Sequence, residues 1–435
     1  MRQIVTVLFG RGILRIAQFV AFLILARMLS PAEFGWFGIA TTAIGIASLI
    51  GMLGLRQAFG YEIGQKQRTA SEAAGIALVI WLPLSGLSAA GAYLTYGRQL
   101  PGLSAFESGA IIFIGVAGLL LISFTQGIFL GRGDISAYAL TETLNRLVLM
   151  AIVVALTVFA AVSLQSALWA FNGGIAVSAM VGLFLALRGA GRPSVDFRKF
   201  GSTLRYGIVN GANFVLINLC ARLSMFVIEH EMGAAAAGQF FAAIRVYEIV
   251  VELATAAGLV LFSDAARQDK TSPLLNRNAR IACWIFWIFL ALGVVVAASA
   301  PLVIVLLVGS QYAAGAHALQ LMAISLGPTA ASRVLYSTQA GRGNPYFGTP
   351  IIVASLIVNT VLAFALVPSL GISGGALALV FGQYLLFAGY LVRYWLSFKV
   401  PLRDLLVPRQ RDFKLVGVRA YALIFSLRGK GAQPK

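Results

Sequence analysis

Nine ionisable side chains interrupt stretches otherwise apolar enough to span a bilayer: Arg11, Arg15, Glu142, Arg146, Arg222, Arg245, Glu248, Glu252 and Arg333. A charge at the centre of a spanning helix costs about 2.5 to 3.5 kcal/mol on insertion scales, so it persists only where it faces a partner or a polar cavity. Arginines outnumber glutamates six to three in this set, which points to a cavity lined for an anion. Arg11 and Arg15 are spaced i, i+4 and project from one helical face. Phosphate or pyrophosphate suits such a pair, because guanidinium forks grip its oxygens bidentately and keep their charge in a dry site. The other reading for these two is that they snorkel to the membrane interface.

Two later segments carry the rest of the candidate chemistry. Asn210, Asn213, Asn218 and Arg222 form a polar series along the seventh apolar segment, able either to meet sugar hydroxyls or to hydrogen-bond neighbouring helices. Gly207 and Gly211 mark the same segment as a place to bend. Arg245, Glu248 and Glu252 share one face of the eighth segment. Two carboxylates at i, i+4 in a low-dielectric setting are candidates for proton or cation coupling; a static ion-pair network with Arg245 is the alternative. Glu142 and Arg146, also i, i+4, read as a structural pair. Pro83 and Pro328 interrupt apolar segments and read as bends or fixed kinks.

The elements that must position these residues follow from composition. The 435 residues are 59% hydrophobic and 11% charged, with mean hydropathy +0.88, too little polar surface for a soluble globule of this size. An all-α polytopic membrane protein is expected, with about twelve transmembrane helices in two parallel six-helix lobes around a central cavity. The segments fall near 4–28, 34–55, 73–96, 108–130, 138–159 and 163–187, then 206–228, 237–262, 281–308, 318–340, 350–367 and 374–396. This divides the chain into an N-terminal lobe (1–190), a basic connector (191–205), a C-terminal lobe (206–396) and a basic tail (397–435), in which 412–427 has the pattern of an interfacial helix. Residues 1–27 do not read as a cleavable signal.

The formal charge of +18 belongs to membrane topology, and no nucleic-acid partner is expected. Sorting the loops by parity puts Arg56, Lys66, Arg68, Arg132, Arg188, Arg192, Arg198, Lys199, Arg205, Arg267, Lys270, Arg277, Arg280 and Arg342 on one side, with Arg403, Arg409, Arg411 and Lys414 of the tail, and only Arg27 and Arg98 on the other. The positive-inside rule makes both termini cytoplasmic. Cys220 and Cys283 fall within apolar segments, which argues against a disulfide framework. His230 and His317 lack companions at metal-ligand spacing, and no nucleotide-binding P-loop is present, so neither a metal nor a cofactor is expected.

Two short matches suggest that one half is a copy of the other. Ser30 to Ala40 aligns with Gly233 to Ala243, pairing Gly35 with Gly238 and Phe37 with Phe240; Gly131-Arg-Gly-Asp134 aligns with Gly341-Arg-Gly-Asn344. Offsets of about 203 and 210 agree closely, as duplication requires. An even number of spans per repeat relates the halves by a pseudo-two-fold along the membrane normal, with the cargo site between them.

The arginine-bearing first span, followed by Ala26-Arg-Met-Leu-Ser-Pro-Ala-Glu-Phe-Gly35 and by Gly54-Leu55 at the end of the second, resembles the polysaccharide-biosynthesis flippases. These form the polysaccharide-transport branch of the multidrug/oligosaccharidyl-lipid/polysaccharide exporter superfamily, and Gly233 to Phe240 is similar to their second-half counterpart. The resemblance implies a non-enzymatic flippase of the bacterial inner membrane. Its cargo would be polyprenyl-pyrophosphate-linked oligosaccharide units for exopolysaccharide, capsule or O-antigen synthesis, moved by alternating access, and its partners the lipid bilayer, a polysaccharide polymerase and export machinery. The alternatives are a lipid II flippase, a multidrug cation antiporter, which would want an acidic or neutral cavity, and a glycan polymerase or ligase, which would want a long external loop.

Overall fold

The computed structural model of the chain describes residues 18–198, 200–267, 272–342 and 344–408. Every element among them is helical. The first half comprises α1 (Gln18–Met28), α2 (Pro31–Gly51), α3 (Leu55–Gly64), α4 (Ala70–Thr95), α5 (Ala105–Arg132), α6 (Ile135–Val158) and α7 (Leu164–Ala190). The second comprises α8 (Phe200–Met232), α9 (Ala234–Arg267), α10 (Ser272–Val303), α11 (Ala314–Ala323), α12 (Leu326–Gly341), α13 (Thr349–Leu370), α14 (Ile372–Phe398) and the short α15 (Leu402–Leu406). Nine of these pass as single spans by length and hydropathy, and α8 is a tenth with a 42° bend. With α1 and the α11–α12 pair they give the twelve spanning positions expected. The chain is a multi-pass membrane protein.

Helix starts are set by local hydrogen bonding. Ser30, Thr69 and Ser104 each cap the backbone N–H of a glutamate three residues on, and Glu33, Glu72 and Glu107 return the bond to the cap residue's N–H. These reciprocal boxes satisfy donors that a helix end otherwise leaves orphaned. The Gly-Arg-Gly turn after α5 is likewise structural, with Gly133 in the left-handed region at φ 73° and Asp134 accepting from Ala137 N.

Within each half the helices pack on one another, and the halves meet chiefly where α2 lies against α9 and α3 against α8. Hydrophobic burial gives no drive to helix association inside lipid, so close packing by small residues matters most. Here the backbones themselves touch. A Cβ at Gly35 would strike the Ala234 carbonyl and lie 2.9 Å from Gly238 N, and one at Gly238 would strike the Pro31 carbonyl and lie 3.0 Å from Gly35 N. This reciprocity between repeat-equivalent glycines is what a two-fold axis passing between them produces. Around it, Phe34 packs on Phe22, Phe241 and Tyr312 with ring centroids 4.9 to 5.3 Å apart. Arg27 donates to the Leu306 and Leu307 carbonyls in the π-helical turn that ends α10.

A second seam closes the other end of the interface. The chain breaks after α2, with Leu53 and Gly54 at φ 48° and 68°, so that Gly54 lies on α8. A Cβ at Gly207 would be 2.7 Å from the Leu53 carbonyl, and one at Gly211 would be 2.6 Å from Gly54 Cα. Beyond the break, α3 is zipped to α8 by Arg56 over the Phe214 ring (5.4 Å) and by Tyr61 stacked on Tyr206 (4.6 Å). The zipper ends in a buried polar knot. Arg68 Nε donates to Glu62 (2.7 Å), its Nη2 to Thr203 Oγ1 (3.1 Å) and its Nη1 to the Asp196 carbonyl (3.2 Å), while Thr203 donates to Glu62 (2.6 Å). Element order puts this seam at the end of the bundle that carries the lysine- and arginine-rich loops.

Two features depart from the expected layout. The segment between the second and third spans is not a loop but α3. The tenth span is broken at Ile324–Ser325 into α11 and α12, with Pro328 just inside the new helix, where a missing N–H costs nothing. Pro83, in contrast, sits inside an unbroken α4. The 412–427 segment lies outside the described residues.

Removing the Arg68 guanidinium strands the Glu62 carboxylate in a buried site. Arg68→Ala is therefore expected to cost about 3 to 5 kcal/mol and to lower the thermal midpoint of the purified protein. Glu62→Gln combined with Arg68→Met should cost less than Arg68→Ala alone.

Candidate functional site

Of the candidate residues, the structure joins Arg222, Arg245 and Glu248. Glu248 Oε2 accepts from Arg245 Nη1 at 2.8 Å within α9, and its Oε1 accepts from Arg222 Nη2 at 3.5 Å across to α8. The side chains of Arg222, Arg245 and Glu248 are 26%, 24% and 30% exposed, so the cluster is only partly buried. Arg245 also lies 4.6 Å over the Phe241 ring, a cation–π contact that supports the guanidinium from one side. Glu252, one turn on, is half-buried. Arg333 of α12 donates to Thr255 Oγ1 of α9 at 2.7 Å, which brings a further guanidinium to the α9 helix.

The remaining candidates are placed differently. Arg11 and Arg15 lie outside the described residues, as does the side chain of Asn210. Asn213 is buried, and Asn218 is half-buried with its Nδ2 donating to the Phe214 carbonyl of its own helix at 2.7 Å. Gly207 and Gly211 do not bend α8; they admit Gly54. The bend falls instead between Cys220 and Arg222. Glu142 and Arg146 form the expected pair, at 3.1 Å.

The bend has an identifiable support. Asn359 of α13 donates to the Cys220 carbonyl and accepts from Ser224 Oγ at 3.2 Å. A kink weakens the local i to i−4 ladder, and a side chain inserted there keeps the freed carbonyl satisfied in lipid. Asn359 is buried in the middle of α13. An asparagine alone in an apolar span was a visible signal for it. A neighbouring hydroxyl cluster ties α9 to α12 and α14: Tyr247 OH lies 3.0 Å from Ser325 Oγ and 2.8 Å from Thr329 Oγ1, and Thr329 donates to Gln383. Among the described residues no group of His, Cys, Asp and Glu could hold a metal ion.

Two guanidinium groups on adjacent helices, sharing one carboxylate beside a bend, can exchange that carboxylate for the oxygens of another anion. The family model for polysaccharide biosynthesis proteins matches residues 1–262, more than half of the chain. The chain belongs to the polysaccharide biosynthesis protein family. Solved structures of transporters share its fold. A lipid II flippase, MurJ, in an inward closed conformation aligns with 98% of this chain and 94% of its own at 12% identity and a TM-score of 0.69. An inward-facing multidrug resistance transporter of the MATE family in the MOP superfamily aligns with 89% of this chain and 99% of its own, at 17% identity and 0.68. A MOP superfamily transporter from Pyrococcus furiosus, described as having a binding pocket of reversed polarity, aligns with 91% and 94% at 17% identity and 0.64. Comparison with curated protein sequences gives no match. For this polysaccharide biosynthesis protein the fold is thus that of the MOP superfamily.

Asn359→Leu is expected to leave the Cys220 carbonyl unpaired and to cost about 1 kcal/mol. The readout is a lower thermal midpoint of the purified protein; an unchanged midpoint would mean the bend needs no support from α13.

Proposed function

We propose that this chain flips polyprenyl-pyrophosphate-linked oligosaccharide units across the bacterial inner membrane by alternating access, without covalent chemistry of its own. One observation carries the reading: Arg222 and Arg245 converge from two helices on one partly exposed carboxylate, in a half-membrane setting where unpaired guanidinium groups are costly. Such a site suits the pyrophosphate of a lipid-linked sugar, held by charge-assisted forks while the polyprenyl tail stays in the bilayer. Arg11 and Arg15 are proposed to reach the same anion from the first half. A cation antiporter is disfavoured by the arginine surplus, since like charges repel the cargo. Membership of the polysaccharide biosynthesis family favours a polysaccharide repeat unit over the lipid II headgroup.

The loops rich in arginine face the cytoplasm under this reading, as do both termini. The seam of Gly54 with Gly207 and Gly211 is then the inner gate, and that of Gly35 with Gly238 the outer one. A polymerase and export machinery would take the units after release.

Deleting the chain in its bacterium and following the lipid-linked repeat unit tests the function. Units trapped on the cytoplasmic leaflet are expected; units that reach the outer leaflet but stay unpolymerised would contradict the flippase reading. Complementation with Arg222→Ala is expected to restore membrane insertion but less than a tenth of glycan export, and full export at normal abundance would remove Arg222 from the site.

A further inference from the structure

In this structure the Glu248 carboxylate already occupies the guanidinium groups that a phosphate would need. Its two contacts are unequal for a geometric reason. Arg245 lies three residues earlier on the same helix, so the 2.8 Å bond persists however α9 moves as a body. Arg222 belongs to α8 and directly follows the 42° bend, so its 3.5 Å contact depends on how far α8 is flexed. A fixed structural ion pair would be dry and closely fitted; here the Arg222 contact is long, at 3.5 Å, and all three side chains are partly exposed.

We propose that Glu248 is an internal counter-anion that competes with the cargo for Arg222. This rests on the flippase reading above. With the site empty, the carboxylate holds Arg222 and neutralises part of its charge. An arriving pyrophosphate carries more negative charge and takes the Arg222 donors, leaving Glu248 on Arg245. Flexing of α8 at Ala221 then brings the tethered carboxylate back against Arg222, and the cargo is released. A tethered competitor acts at a fixed effective concentration, so it weakens cargo binding by a constant factor. For a translocator this is an advantage, because slow release limits turnover.

The sign of one measurement separates this from a static pair. Purified wild type and the Glu248→Gln and Glu248→Asn variants, in lipid nanodiscs, are titrated with inorganic pyrophosphate, and each is assayed in proteoliposomes for translocation of a prenyl-pyrophosphate-linked sugar. Competition predicts about tenfold tighter pyrophosphate binding in both variants, together with translocation reduced several-fold. Unchanged or weaker binding would overturn the proposal, as a purely positioning carboxylate would loosen both arginines when removed. Tighter binding with undiminished translocation would overturn it too, since release would then not depend on Glu248. Arg222→Gln keeps the two levels apart. If it weakens pyrophosphate binding while the Glu248 variants leave affinity unchanged, only the competition fails; if it leaves affinity unchanged, the arginine site itself fails.

Discussion

The two halves of this protein are held in register by backbone contact at glycines, and the rest of the structure depends on it. In lipid, helices gain nothing from hiding apolar surface, so an interface between them is best made of van der Waals contact between small residues. Gly35 meets Gly238 at one end and Gly54 meets Gly207 and Gly211 at the other. The glycine contacts themselves involve no long side chain. The surroundings differ, however. One seam is wrapped in aromatic rings and sealed by Arg27 on the carbonyls that end α10, whereas the other ends in the buried Glu62, Arg68 and Thr203 knot. The two seams therefore differ in the chemistry that holds them.

The arginine cluster is mechanically connected to both. Arg245 rests on Phe241, and Phe241 packs directly on Phe22 and Phe34 of the first half. Arg222 follows the bend in α8, whose earlier turns carry Gly207 and Gly211. The cluster thus adjoins one seam through an aromatic ring and shares a helix with the other. Asn359 keeps the bend satisfied, so α8 leaves no bare Cys220 carbonyl facing lipid.

Much of the fold was legible in the sequence because a bilayer imposes length and hydropathy on every span. Most of the apolar stretches fell within a few residues of the helices found, although α10 begins nine residues before its stretch, the tenth is broken in two, and the start of the first lies outside the described residues. The Gly35 and Gly238 correspondence was also visible, though only as a repeat; that the two glycines touch follows from symmetry and could not be read from either stretch alone. Other features were hidden for specific reasons. Helix α3 is short and mixed in polarity, so it resembles a loop. Arg68 finds Thr203 far along the chain, and no local spacing announces that bond. Gly207 and Gly211 looked like a hinge because glycine loosens a helix, but close approach was the stronger demand on them. At the site, the i, i+3 spacing announced the Arg245 and Glu248 pair, while the partner from α8 depended on how two helices cross.

The proposed role of the arginine site between α8 and α9 is to carry a pyrophosphate-linked lipid across the membrane. The most direct test reconstitutes the purified chain in proteoliposomes containing a labelled prenyl-pyrophosphate-linked sugar and follows its appearance in the opposite leaflet. Translocation that requires the protein and is lost in Arg222→Gln at equal protein content is the predicted result. No protein-dependent translocation, or translocation indifferent to Arg222, would contradict it.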